Sequence, residues 1–141
     1  MSDHGVLGQA TTYPTRYDPR LLHPIPRREA RDAAGIPAPP PFRGQDIWNA
    51  YELSWLDANG RPRVALAEIV VPADSANIVE SKSFKLYLNS FNQTRIGDSE
   101  RLRQTMVRDG KGSDGMSDTV FPWSSTLAWK RLPYRLHGGC R

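Results

Sequence analysis

The sequence predicts an α+β domain whose strands precede its helices, carried behind an extended, proline-rich arm. Three observations lead there. Residues 1–41 are rich in proline and show no helical or strand period. Two apolar runs, centred on residues 47–56 and 62–71, are joined by the turn signal Ala58-Asn59-Gly60. Beyond them, apolar residues recur at helical spacing twice in succession, around residues 84–91 and again at 102 and 106.

The arm comes first. The segment TTYPTRYDPRLLHPIPRREAR contains four prolines, and Pro37 to Pro41 adds four more in five residues. Each proline fixes φ and removes a backbone donor, which favours an extended path. Tyr13, Tyr17, Leu21, Leu22 and Ile25 are apolar anchors of a kind that a disordered leader lacks. Residues 1–41 therefore read as an arm laid over the domain or over a partner subunit.

The domain opens with FRGQDIWNAYELSWLD. Tyr51, Leu53 and Trp55 alternate, so Ile47 to Leu56 is predicted to be a strand. RPRVALAEIVV follows the turn and completes a β-hairpin, with Glu52 and Glu68 toward solvent. Pro72 to Asn77 reads as a loop.

Ile78 to Arg95, IVESKSFKLYLNSFNQTR, is the chemically densest stretch. Phe84, Leu88 and Phe91 at i, i+4 and i+7 form one apolar face, and Lys82, Lys85 and Asn89 share another. Ser81 or Ser83 is placed to cap the helix start. Free N–H groups there, with two lysines close by, would suit an anion, and Glu80 would stay available to accept from a polar ligand. On pattern alone the plainer reading is an amphipathic helix with a solvated lysine face. Gly97-Asp98-Ser99 marks a stop and a restart, with Asp98 or Ser99 as the next cap and a second helix over roughly Glu100 to Arg108.

Strand, strand, helix, helix is an incomplete set, because a two-stranded hairpin does not cover two helices stably. Residues 110–141 do not supply an obvious completion. GKGSDGMSD is polar, Phe121, Trp123, Trp129 and Tyr134 follow no period, and the plain reading allows one short strand near Thr126 to Leu132. The stretch reads as foreign to the domain, as a frameshift or truncation would leave it, and as adding little to stability.

Composition narrows the function. The chain has 141 residues, 38% hydrophobic and 24% charged, with a net charge of +4. That balance fits one domain with a taste for anionic ligands and falls short of a nucleic-acid signature. No run suits a membrane span or a secretory signal. Cys140 is the sole cysteine and His4, His23 and His137 are scattered. No internal disulfide or metal site is expected, and the default setting is cytoplasmic.

Three segments carry a resemblance: LGQATTYPTRYDPRLLHPIPR, GQDIWNAYELSWLDANGRPRVA and above all ESKSFKLYLNSFNQTR. Over residues 7–109 the chain resembles the amino-terminal half of the two-module 7-cyano-7-deazaguanine reductases, the QueF nitrile reductases of queuosine biosynthesis, a tRNA-modification pathway. The resemblance implies a tunnelling-fold ββααββ module over residues 42–109, of which ββαα is present, with units assembling through strand pairing. It implies reduction of 7-cyano-7-deazaguanine to 7-aminomethyl-7-deazaguanine with two NADPH. A cysteine thiolate would add to the nitrile as a covalent thioimide and an aspartate would supply protons.

Carried over residue by residue, Val79, Glu80 and Ser81 match the family's substrate-contacting stretch. Ser81 and Lys82 match its NADPH-contacting pair, and Lys85, one turn on, is a further phosphate candidate. The catalytic cysteine, the proton-donating aspartate and a histidine–glutamate pair belong to the family's second module and have no match here. HGGCR does not match the nucleophile segment, so Cys140 receives no catalytic role. The chain is thus expected to need a catalytic module or other subunits and to be inactive alone. Two other functions stay open: a non-catalytic tunnelling-fold scaffold for a separate catalytic partner, and a small basic module binding RNA or anions. The latter would need exposed aromatics within a basic stripe, and the aromatics here read as core or arm anchors.

Overall fold

The structure is a computed structural model that describes residues 13–110 and the backbone of a strand at 128–130. In chain order the elements are a 3-10 turn Pro19–Leu21, β1 Pro24–Pro26, α1 Arg27–Ala33, β2 Gln45–Leu56, β3 Pro62–Pro72, β4 Asn77–Val79, α2 Ser81–Asn89, α3 Ser99–Gly110 and β5 Ala128–Lys130. The strands form two antiparallel sheets, β1-β4 and β2-β3-β5.

The hairpin turns on a buried carboxylate. Asp57 accepts from the backbone N–H groups of Asn59 and Arg61 at 2.9 and 3.0 Å and from the Arg63 guanidinium at 2.9 Å. These bonds, led by that from Arg61, hold its carboxyl below the usual aspartate range. Gly60 closes the turn at φ +77°, and a Cβ there would also lie 3.1 Å from the Arg95 guanidinium.

β2 is not a regular strand. Its register on β3 steps from Ala50↔Ala67 to Leu53↔Ala65, so Tyr51 and Glu52 together oppose Leu66. This β-bulge reverses the parity of the strand. Before it Trp48 and Ala50 pack inward, and after it Leu53 and Trp55 do. Tyr51, which alternates with Leu53 and Trp55 in the sequence, is 70% exposed while they are buried.

One face of this sheet carries the core. Leu53, Trp55, Ala67, Ile69 and Val71 meet Phe84, Tyr87 and Phe91 from α2 and its exit, and Leu102 and Met106 from α3. Trp48 abuts Phe84 edge-on at 5.5 Å, and Tyr87 meets Phe91 edge-on at 5.1 Å. Asp98 accepts from the Arg101 N–H at 2.8 Å and caps α3 as the sequence suggests.

The arm is docked, and it is not extended throughout. Asp18 caps the 3-10 turn through the Arg20 N–H at 2.9 Å. β1 pairs with β4, a strand that begins at Asn77, the last residue of the expected loop, and runs to Val79. α1 buries no residue, so it has no apolar period to read. It is fastened instead by its arginines, Arg27 to Asp46 and Ser75 and Arg31 to the Ala73 carbonyl. Of the expected anchors, Tyr17, Leu21 and Leu22 pack on the core. Tyr13 and Ile25 are exposed at 70% and 38%.

β5 falls within the region 126–132 where one short strand was allowed, and it pairs with Leu66–Glu68 of β3. Residues 1–12 and the rest of 111–141, including Cys140, lie outside the described residues. No helix among the described residues is long and apolar enough to cross a membrane.

Candidate functional site

The residues singled out in the sequence sit where β4 turns into α2. β4 ends at the buried Val79, and Glu80 leaves it with extended backbone at φ −70°, ψ 132°. That geometry makes Glu80 the N-cap. Its carboxylate curls back to accept from the N–H groups of Lys82 at 3.0 Å and Ser83 at 2.6 Å. The expected serine cap is therefore corrected. Ser81 is the first helical residue, and the Ser83 hydroxyl donates to the Glu80 carbonyl at 2.8 Å.

The same bonds correct a second expectation. The N–H groups of Lys82 and Ser83 are not open to an external anion, because a carboxylate of the chain already occupies them. Glu80 itself is only 5% exposed. The arm closes the corner from the other side. The Glu80 N–H donates to the His23 carbonyl at 2.9 Å, and the His23 N–H donates to the Ser83 hydroxyl at 3.1 Å.

Beside this capped corner the helix carries one serine and two lysines. Ser81 and Lys85 are exposed and Lys82 is half-buried. They fall within the first two turns of α2, and Lys82 and Lys85, three apart, lie near one another on it. Val79 and Glu80, which precede them, are buried at 3% and 5% exposure. Such a set can bind phosphate through side chains as mobile point charges. The lysines have the charge a phosphate needs, whereas the N–H groups of Lys82 and Ser83 are already taken by Glu80.

Lys85 also borders an open groove of about 590 Å³ between α2 and β2, with Leu88, Asn89 and Asn92 on the helix side and Tyr51, Glu52 and Val64 on the sheet side. Sequence reasoning placed Glu52 in solvent but missed that the bulge brings it and Tyr51 opposite Lys85. Period-2 alternation carries no signal for a bulge.

A second cluster supports α2 from beneath. Tyr17 of the arm and Tyr87 of α2 each donate to Oδ2 of Asp109, both at 2.6 Å. The Arg108 guanidinium lies 3.3 Å from Oδ1. The Tyr17 ring stacks on Phe91 at 5.0 Å. Burial, then the bond to Asp109, pushes the Tyr17 hydroxyl up to about 12, and burial raises Tyr87 well above its ordinary value.

Comparison with known proteins now bears on this geometry. Residues 13–119 match the family described as nitrile reductase, 7-cyano-7-deazaguanine reductase, N-terminal part. Among similar proteins is the NADPH-dependent 7-cyano-7-deazaguanine reductase of Burkholderia mallei strain SAVP1, 56% identical over 118 residues, which are 84% of this chain and 43% of that protein. The enzyme of the same name from Bordetella pertussis strain Tohama I is 62% identical over 103 residues, 73% of this chain and 38% of its own length. The chain thus spans about two-fifths of the length of the curated relatives it matches. With a family match covering most of its length and the ESKS corner built as described, the chain belongs to the 7-cyano-7-deazaguanine reductase N-terminal family of nitrile reductases.

Proposed function

We propose that the chain supplies the amino-terminal module of an NADPH-dependent 7-cyano-7-deazaguanine reductase and works with a module that carries the nucleophilic cysteine. The observation that carries this reading is the outward presentation of Ser81, Lys82 and Lys85 from one fixed corner, in a chain of this family. Ser81, Lys82 and Lys85 would hold phosphate groups of NADPH, which supplies hydride when bound. Val79, Glu80 and Ser81 would border the 7-cyano-7-deazaguanine, with the Ser81 hydroxyl nearest solvent and Val79 closing the wall behind. A hairpin, two helices on one sheet face and a further strand beside β3 support a tunnelling-fold module.

The test is reconstitution. A catalytic module is fused after Asp109 or supplied as a separate chain, and loss of NADPH absorbance is followed with 7-cyano-7-deazaguanine present. The chain alone is expected to oxidise no NADPH. In the reconstituted enzyme Lys82→Ala should raise the KM for NADPH about tenfold, since a lost charged hydrogen bond costs roughly 1.5–3 kcal/mol. An unchanged KM in both Lys82→Ala and Lys85→Ala would remove these lysines from the cofactor site.

A further inference from the structure

We propose that Glu80 is a positioning residue: its carboxylate caps α2 and, together with Ser83 and the arm's His23, locks the β4–α2 corner so that Ser81, Lys82 and Lys85 face a ligand. The inference rests on the nucleotide reading above for what those three groups bind, and on hydrogen bonds alone for the lock.

Both oxygens of Glu80 are engaged within the chain, Oε1 by the Lys82 N–H at 3.0 Å and Oε2 by the Ser83 N–H at 2.6 Å. Its backbone N–H is held by the His23 carbonyl at 2.9 Å, and its carbonyl accepts from the Phe84 N–H at 2.9 Å and the Ser83 hydroxyl at 2.8 Å. Nearly every polar group of the residue thus serves the corner, and at 5% exposure little of it meets solvent. The Ser83 hydroxyl is the joint. It donates to Glu80 and accepts from the His23 N–H at 3.1 Å, tying helix, cap and arm at one oxygen. The β1–β4 ladder continues the tie through Pro24↔Val79 and Ile25↔Ile78.

The cap also sets what kind of anion site this is. A phosphate seated on the helix axis would meet the Glu80 carboxylate instead of bare N–H groups. Anion recognition is therefore moved from backbone to the lysine side chains. The shape of the corner decides how well those ends converge.

The test uses the full chain and nuclear magnetic resonance. Glu80→Ala should speed amide hydrogen exchange at Lys82 and Ser83 about fivefold, the usual loss for a removed N-cap. Glu80→Ser, a good cap with no charge and a short reach, should restore the protection. Glu80→Gln keeps an acceptor oxygen and guards against misfolding of the alanine variant. Ser83→Ala should speed exchange at His23. Titration with adenosine 2′,5′-bisphosphate should shift the Ser81, Lys82 and Lys85 amides in the native chain, bind about fivefold more weakly to Glu80→Ala even though that variant removes a like charge and uncovers two N–H groups, and recover with Glu80→Ser. Tighter binding to Glu80→Ala would overturn the positioning role. Unchanged exchange at Lys82 and Ser83 in Glu80→Ala would overturn the lock. Restored exchange with binding still weak in Glu80→Ser would overturn the positioning role and make Glu80 a direct ligand. An absence of shifts in the native chain would overturn the nucleotide reading, and with it the positioning role, while the exchange data still decide the cap.

Discussion

Asp109 closes the far end of α3, yet two tyrosines from distant parts of the chain end on the same oxygen of its carboxylate. Removing that acceptor leaves the hydroxyl of Tyr87, a residue with no exposed surface, without its partner. Asp109→Ala should therefore cost about 2–4 kcal/mol in urea unfolding, since each buried donor left unsatisfied costs roughly 1–3 kcal/mol. A loss below about 0.5 kcal/mol would show that the cluster is incidental. The sign of its pH dependence follows from the raised hydroxyls. The folded state favours the protonated phenol of Tyr17, so this contribution is intact below the ordinary tyrosine value of 10.0 and lost as pH rises toward about 12. The urea midpoint should fall across that window, and Tyr17→Phe should flatten part of the fall. At this scale the sequence was only partly legible. Tyr17 stood out as an anchor because an aromatic among prolines needs a surface. Its tie to Asp109, 92 residues away, leaves no local trace. The cap was misread for a related reason: serine is the commoner N-cap, and the extended backbone that recruits Glu80 is set by β4 and the arm.

At the scale of elements, α2 and α3 were legible because each buries one face, and burial is what imposes a 3.6-residue period. α1 was not, because it buries nothing. β2 shows the limit most sharply. Alternation fixes which residues share a face only while the partner strand keeps step, and at Tyr51-Glu52 it does not. The bulge yields a prediction. Deleting Glu52 restores one-to-one pairing while Trp48, Ala50, Leu53 and Trp55 all keep facing the core, so the melting temperature should drop only a few degrees. Deleting Ser54 turns Trp55 out of the core and should unfold the hairpin, a loss of roughly 3 kcal/mol or more. Equal losses from the two deletions would mean that the bulge does not act as an insert. The bulge residues also border the groove at Lys85, and bulges recur where a strand re-aims side chains beside a site.

For the whole molecule, element order was enough to give an α+β architecture with an arm, because hairpin turn and helical periods are local signals. How the arm binds was not in the pattern. Its hold is made of a stacked ring at Phe91, two leucines on the core, a three-residue ladder on β4 and arginines to loop carbonyls. With the Tyr17–Asp109 bond these join the first third of the chain to its last described helix, so the arm is part of the fold. Removing residues 1–26 should lower the melting temperature by roughly 10 °C or more, at about 4–8 °C per kcal/mol for a domain of this size. An unchanged melting temperature would return the arm to the status of a leader. Ile47, Tyr51 and Val64 of the hairpin stay exposed at 52%, 70% and 64%.

The bond from Tyr17 to Asp109 also sets an order in time. A ribosome adding roughly 5–20 residues per second needs about 5–18 s to travel from one to the other. For the later part of that interval the arm is out of the tunnel while the carboxylate and most of the helical surface it needs do not yet exist. The arm, made before the surfaces it binds, therefore settles after them, and the corner bearing Ser81, Lys82 and Lys85 gains its His23 clasp only when newly made β4 and α2 fold back onto the waiting arm. Newborn chains should expose the arm to protease during synthesis and hide it soon after Asp109 emerges.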